Sequence, residues 1–535
     1  MIAQEQAILQ HEKKYTSEER PTFWYDCTSR IIIFPDGDVK HIGTMPLTSV
    51  LGGIEKHMQR PDSEQKYGRH KAVNLFIRAG NLRKNKPNRE YFNVGDGWIR
   101  DAYEYVDTLF AKYYRDGYRV YVYGTGKYFG EERDIIAIRK AWYTLQSQLD
   151  DAFHYPNFKL YTTPASTGRN LLRGSLPENV QYERLPDDIL RAIYRDICYQ
   201  SRIQHFPPKR PVLENGGYII DGSWFYASFC LNDMPTGKPE HDTVNELATF
   251  PNGYRCPGFY YGTATVPLDR PKHIGLLKEW TECYRSDDES RYPNEPGETF
   301  KFRATNHEVF LAMVNGYHIV IEERYYFPHK QANPLYNWIR KLIDLREKAS
   351  TGKGKNSLLK AAYRNIVLHT IGSFKQAYTW KNHTDITDDK FHKLEETGRI
   401  IEIYPRKKLG FISCVEELDL PGDRQKFVHP EIAAYIWGMA RAKLAEFLLQ
   451  NIPYEDVVFM STDCVWAASV PDGVQKKGEW NKPGEFVVKD HIPGPWEVPT
   501  DSGKMRDYVI KYNVEHNKFD EIMHTDRYYY DEEEF

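Results

Sequence analysis

Residues 457–467 read VVFMSTDCVWA, two short runs of strand-forming residues with Ser-Thr-Asp-Cys between them. Val, Phe and Trp favour a pleated, half-buried surface, so the pattern predicts a hairpin with Asp463 at its tip. A lone aspartate in a turn is ordinary, because its side chain bonds readily to nearby backbone. Its meaning depends on what the fold brings to it. The helical pattern HPEIAAYIWGMARAKLAEFLLQ (429–450) leads almost directly into the hairpin. Upstream, YIIDGSWFYASF (218–229) sets a second aspartate, Asp221, after an apolar strand-like run and before a turn. Two carboxylates on adjacent strands of one sheet can share divalent cations. Mg²⁺ takes oxygen ligands, commonly one or two carboxylates with substrate phosphates completing the shell.

The rest of the chain sets bounds on that idea. Its 535 residues are enough for several domains. No apolar run approaches the ~18 residues needed to span a bilayer, so no membrane association is expected. The opening segment, 1–20, is charged throughout and is not read as a secretory signal. The seven cysteines (27, 198, 230, 256, 283, 414 and 464) form no CxxC pair, which argues against a zinc site or a disulfide framework. A cytoplasmic protein is the expectation. Net charge is −3, but residues 324–381 are rich in Lys and Arg while the tail DRYYYDEEEF (526–535) is acidic.

The first 200 residues alternate β-like runs (RIIIFPDG, RVYVYG, FKLYTT) with helical patterns (GWIRDAYEYVDTLFAKYY, RDIIAIRKAWYTLQSQL), which predicts an α/β domain. A Pro-rich basic connection, QHFPPKRPVLENGG (204–217), makes a boundary. Residues 240–330 read as mostly β with one helix inserted, and helical spacing resumes at 334–349. The next helical stretch, LLKAAYRNIVLHTIGSF, sets Lys360 and Arg364 four residues apart and therefore on one face. Two cations so placed can grip a triphosphate, although most such pairs are simply a solvated basic face. YGTGKY (123–128) lacks the glycine spacing and the Ser/Thr of a phosphate loop and is rejected as one.

Taken in order, these segments resemble the family B DNA polymerases, specifically the protein-primed branch of phages and adenoviruses. DGSWFYA (221–227) looks like the first palm motif, with MPTGKP (234–239) similar to the turn that follows it. KAAYRNIVLHTIGSF (360–374) resembles the finger motif and STDC (461–464) the third motif, Asp-Thr-Asp-Ser. TNHEVFLAMVNGYHIVIEERYYF (305–327) is similar to the helix-then-strand segment between the first two. The resemblance implies α/β and α+β domains: an RNase H-like exonuclease-type N-terminal domain plus a right-hand polymerase of palm, fingers and thumb. It implies an exonuclease-like domain over 1–203, a first part of the palm with an insertion over 204–350, fingers over 351–375 and a second part of the palm over 429–490. A second insertion then falls at 376–428, and a reduced thumb with the acidic tail at 491–535.

The implied activity is DNA-directed, two-metal nucleotidyl transfer to a primer 3′-hydroxyl or a protein primer. Asp221 and Asp463 match the metal-binding carboxylates, with Mg²⁺ or Mn²⁺ as cofactor. Tyr226 matches the tyrosine under the sugar that excludes a 2′-hydroxyl. Lys360, Arg364 and Gly372 match the nucleotide-binding finger residues. Lys511 and Tyr512 stand as a weaker match to a late lysine-tyrosine motif near the primer end, with Lys504 a competitor for the lysine. The implied partners are template and primer DNA, dNTPs and, in this branch, a terminal protein.

Several positions depart from the family pattern. Ser461 replaces the first aspartate of the third motif, which lowers the site's negative charge by one. Leu368 and Ile371 replace the finger motif's Asn and Tyr. In the N-terminal domain YDCTSR (25–30) keeps Asp26 but has Thr28 for a glutamate, and AIYRDI (192–197) keeps Asp196 with Ala192 for a tyrosine. Two scattered carboxylates predict a scaffold without proofreading. A template-independent or primer-synthesising nucleotidyltransferase, or a degenerate polymerase acting as a nucleic-acid-binding scaffold, are the alternative readings of the same fold.

Overall fold

The alternation in the first 200 residues resolves into one mixed sheet. In a computed structural model, the residues described are 21–26, 29–42, 47–61, 72–78, 99–101, 110–115, 117–130, 134–154, 160–161, 163–177, 187–199, 202–206, 211–269, 272–281, 291–329, 331–375, 378–404, 411–419 and 429–515. The chain divides into two compact units, Met1–Gly174 with Lys341–His369, and Ser175–Arg340 with Thr370–Phe535.

The first unit holds a seven-stranded sheet built from β1 (Thr22–Asp26), β2 (Ile31–Ile33), β3 (Val39–His41), β4 (Ala72–Arg78), β5 (Ile99–Asp101), β6 (Phe110–Arg115) and β7 (Tyr118–Gly124), in the order β3-β2-β1-β4-β7-β6-β5. β1, β4 and β7 run parallel, and the flanking pairs are antiparallel. The arrangement matches the RNase H-like sheet expected of this region. Parallel strands need cover on both faces. Leu47, Val50, Leu51, Ile54 and Met58 of the helix Leu47–Met58 recur at helical spacing and pack on Phe23 and Tyr25. On the opposite face Trp24 stacks on Phe76 at 4.4 Å, and Trp142 of the helix Ile135–Phe153 closes over both.

Two local expectations fail here. GWIRDAYEYVDTLFAKYY (97–114) is not helical in its described parts: its ends are β5 and β6, paired Ile99↔Tyr114 through Asp101↔Lys112. The backbone ladder between these two segments overrides the helical periodicity. FKLYTT (158–163) supplies no strand among its described residues. Instead the Thr163 hydroxyl accepts from the Ser166 N–H and caps the helix Pro164–Arg173, with Pro164 in the first turn where proline fits.

The second unit carries the sheet that matters for the site. Its strands are β8 (Ile203–His205), β10 (Gly217–Gly222), β18 (Val457–Ser461), β19 (Cys464–Ala467) and β20 (Phe486–Ile492), ordered β20-β10-β19-β18-β8; the short pair β9 (Val212–Leu213) and β21 (Trp496–Glu497) lies apart from it. Ile219, Phe459, Trp466 and Trp496 form a core with Met505, Val509 and Tyr512 of the helix Ser502–Glu515. A second sheet, β11-β14-β12-β13, is made by β11 (Glu240–Asp242), β12 (Gly258–Thr265), β13 (Thr299–Thr305) and β14 (His318–Tyr326). As the sequence predicts, a helix (Asn306–Val314) and then a strand follow β13. A small third sheet, β15-β17-β16, comprises β15 (Tyr378–Thr387), β16 (Ile400–Tyr404) and β17 (Phe411–Asp419). The helix Pro430–Asn451, buried along most of its length, packs against Asn306–Val314 and leads to β18.

Candidate active site

β10 runs centrally because Tyr218–Ile220 offers β-branched and aromatic side chains to both neighbours. Gly222 ends it at a place where a Cβ would run into the Phe225 ring, so the chain can turn tightly there only as glycine. Trp224 turns in the left-handed region (φ 47°), and the short helix Phe225–Phe229 follows, with Tyr226 buried. The hairpin predicted from VVFMSTDCVWA is present, with a two-residue turn at Thr462 and Asp463. Thr462 sits at φ 61°, an unusual conformation for a β-branched residue. It is held there by its N–H, which donates to the Arg202 carbonyl at 3.2 Å. Its hydroxyl donates to Asp463 Oδ1 at 2.8 Å, fixing that carboxylate.

β10 and β19 then bring the two aspartates together. Asp221 pairs directly with Cys464, and the Gly222 N–H donates to the Asp463 carbonyl at 2.9 Å. Burial of the Cys464 thiol and the nearby Asp221 charge push its pKa up, Asp463 adds to this, and Lys489 and Lys477 oppose it. The thiol thus sits among two carboxylates and two ammonium groups that act on it electrostatically. Lys477 Nζ stands 3.7 Å from Asp221 Oδ2. Ser461, at the end of β18, pairs with Cys464 on one side and Ile203 on the other. Among the described residues no three His, Cys, Asp or Glu side chains gather as a metal cluster. Asp221 and Asp463 offer two carboxylates at this sheet end, and carboxylates are the kind of oxygen donor that suits a hard cation.

Comparison with known proteins settles the family. The model of DNA polymerase type B, organellar and viral, matches residues 103–411, more than half of the chain. The chain belongs to the organellar and viral type B DNA polymerases. Membership makes it a DNA-directed DNA polymerase, and polymerases of this family generally use divalent metals. The fold agrees: this polymerase resembles Phi29 DNA polymerase in its complex with primer-template DNA and incoming nucleotides at a TM-score of 0.53 and 12% identity, covering 88% of this chain and 84% of that one. The likeness to the binary complex with primer-template DNA has a TM-score of 0.52 at 13% identity, over the same shares of the two chains. No curated protein sequence matches the polymerase.

The remaining predicted residues fall as follows. Lys360 and Arg364 lie one turn apart on the helix Ser357–Phe374, both half-buried, with Gly372 near its end. The two cations belong to the first unit of the polymerase and the two aspartates to the second. Lys511 is exposed on the helix Ser502–Glu515, whereas Tyr512 is buried against Trp466 and donates its hydroxyl to Asp490 Oδ2 at 2.5 Å. Asp26 is fully buried at the end of β1 and accepts from the Ser29 hydroxyl at 2.6 Å, while Thr28 lies outside the described residues. Asp196 ends the helix Asp187–Asp196 in the second unit, where it is ion-paired with Arg303 and accepts from Trp280 Nε1 at 3.1 Å. Its carboxylate is engaged by a guanidinium and an indole.

Sequence reading missed Lys477 and Lys489. Lys489 is in β20, and an isolated parallel bridge, Lys476↔Val488, carries the segment before Lys477 alongside that strand. The signal available was the pair of lysines in QKKGEW (475–480) ahead of a strand.

Proposed function

We propose that Asp221 and Asp463 hold the divalent cations of a DNA polymerase site that takes primer-template DNA and dNTPs. The observation that carries this is the register: Asp221 opposite Cys464, with the Gly222 N–H on the Asp463 carbonyl. Mg²⁺ or Mn²⁺ held there would neutralise charge developing on the transferred phosphate and leaving pyrophosphate and favour ionisation of the primer hydroxyl. The protein's own part is mostly positioning. The Thr462 hydroxyl orients the Asp463 carboxylate, and the β10–β19 ladder fixes the separation of the two acids. Tyr226, buried just after β10, takes the place under the deoxyribose that excludes a 2′-hydroxyl. Lys360 and Arg364 bind the triphosphate, Arg364 through its forked donors.

The carboxylates left over from the exonuclease motifs serve structure in this reading, because Asp196 is ion-paired and Asp26 is buried under a serine hydroxyl. Purified protein offered a primed template, a bare template and an unprimed oligonucleotide, with dNTPs and Mg²⁺ or Mn²⁺, tests the whole. Extension of the primed template alone, reduced ~100- to 1000-fold by Asp463→Asn, is expected for a charge-stabilising group. Extension that survives that substitution removes Asp463 from the site.

A further inference from the structure

Lys477 has no counterpart among the residues that the sequence motifs supply, yet its ammonium stands beside Asp221. Its backbone is pinned: Val488 N–H donates to the Gln475 carbonyl at 2.8 Å, and Lys477 N–H donates to the Val488 carbonyl at 2.9 Å. Val488 lies opposite Ile220 in the β20–β10 ladder, one residue before Asp221. From that anchor the lysine side chain reaches Asp221 Oδ2, 3.7 Å away, while remaining 45% exposed against 17% for the aspartate. The lysine can swing into water and the carboxylate cannot.

We propose that Lys477 is a displaceable counter-ion of Asp221, occupying the carboxylate when no divalent cation is bound and leaving it when a cation arrives with a triphosphate. The proposal rests on the reading of Asp221 and Asp463 as cation ligands. Asp221 and Asp463 bring two negative charges to this end of the sheet, and Lys477 and Lys489 bring two positive ones. With Ser461 in place of a third carboxylate, a bare cation meets a nearly neutral site and binds weakly. A cation carrying a nucleotide also brings phosphate oxygens, which give the released ammonium a new anion, so cation and nucleotide bind better together than either does alone.

The test is direct Mn²⁺ titration of the full-length protein without DNA or nucleotide, followed by the loss of the free-ion EPR signal. Lys477→Met should bind Mn²⁺ about three- to tenfold more tightly than wild type, the size expected for deleting one partly solvated charge beside a cation site. Lys477→Arg, which keeps the charge, and Lys482→Met, an exposed lysine of the same segment, should match wild type. Equal or weaker binding by Lys477→Met overturns the counter-ion role, as does Lys477→Arg binding as tightly as Lys477→Met. Asp463→Asn should lose the bound ion. If it binds Mn²⁺ like wild type, the ligand reading itself falls, an outcome distinct from failure at Lys477 alone.

Discussion

Ser461 is the residue whose side chain offers the most direct test of how charge at this sheet end governs the proposed cation site. Ser461 ends β18 with its backbone paired on both sides, so the position is as well fixed as its neighbours Thr462 and Asp463. Its side chain carries no charge. Adding one should therefore cost little structure and change electrostatics directly: Ser461→Asp adds a third carboxylate beside Asp221 and Asp463. The Mg²⁺ concentration that half-saturates primer extension is expected to fall about three- to tenfold. An unchanged metal requirement, measured with dNTPs and primed template held in excess, would show that residue 461 does not face the cations.

At the scale of elements, the hairpin is delivered by the helix Pro430–Asn451, and that helix meets its neighbour at a close contact. At Gly438 a Cβ would fall inside the Thr305 side chain and against Glu308, so glycine is what lets the two helices meet. Thr305 and Glu308 form a capping box at the start of Asn306–Val314, and buried Arg441, one turn beyond Gly438, pairs with Glu308, Nε to Oε1 at 2.8 Å. Gly438→Ala should destabilise this junction by about 1–3 kcal/mol through overpacking. Amide hydrogen exchange along Pro430–Asn451 would report it, and unchanged protection would mean that the junction tolerates a methyl group.

The same junction carries a pH dependence. His307 contacts the Tyr435 hydroxyl at 2.9 Å, and burial, reinforced by the Arg255 charge, lowers its pKa to about 4. In the unfolded chain an imidazole titrates near 6.5, so between those values the unfolded state binds the extra proton. Stability contributed here is complete above pH ~6.5 and is lost as pH falls towards 4, by at most about 3 kcal/mol. Urea unfolding of wild type and His307→Gln across that range isolates the effect. A difference between the two that does not vary with pH would mean that His307 is not the titrating group.

For the molecule as a whole, what could be read in the sequence follows the range of the interactions. The placement of Asp463 and Asp221 at strand ends was legible because each lies in or beside a short apolar strand, a local signal, and that of Lys360 and Arg364 on one helical face because a helix repeats every 3.6 residues. Lys477 was not, since a bridge to β20 from a turn-rich segment leaves no periodic trace. GWIRDAYEYVDTLFAKYY misled because its aromatic residues fit both periods and only the partner strand decides between them. The exonuclease motifs illustrate the same limit from another side. Asp196 looked like a relic of a metal site, and its partners, Arg303 and Trp280, come from ~100 residues further along the chain. An aspartate paired with a buried-edge guanidinium and an indole is a packing element, and removing one member of such a pair leaves the other uncompensated. Two outcomes follow for the polymerase. A 3′-labelled single strand incubated with it and Mg²⁺ should stay full length, and mismatched primer ends should be extended or stalled but not trimmed. Asp196→Asn should lower stability, with Arg303 left without its anion, while changing neither result. Degradation that persists in Asp463→Asn and disappears in Asp26→Ala would instead establish a working exonuclease in the first unit, and with it a set of metal ligands beyond Asp26 and Asp196.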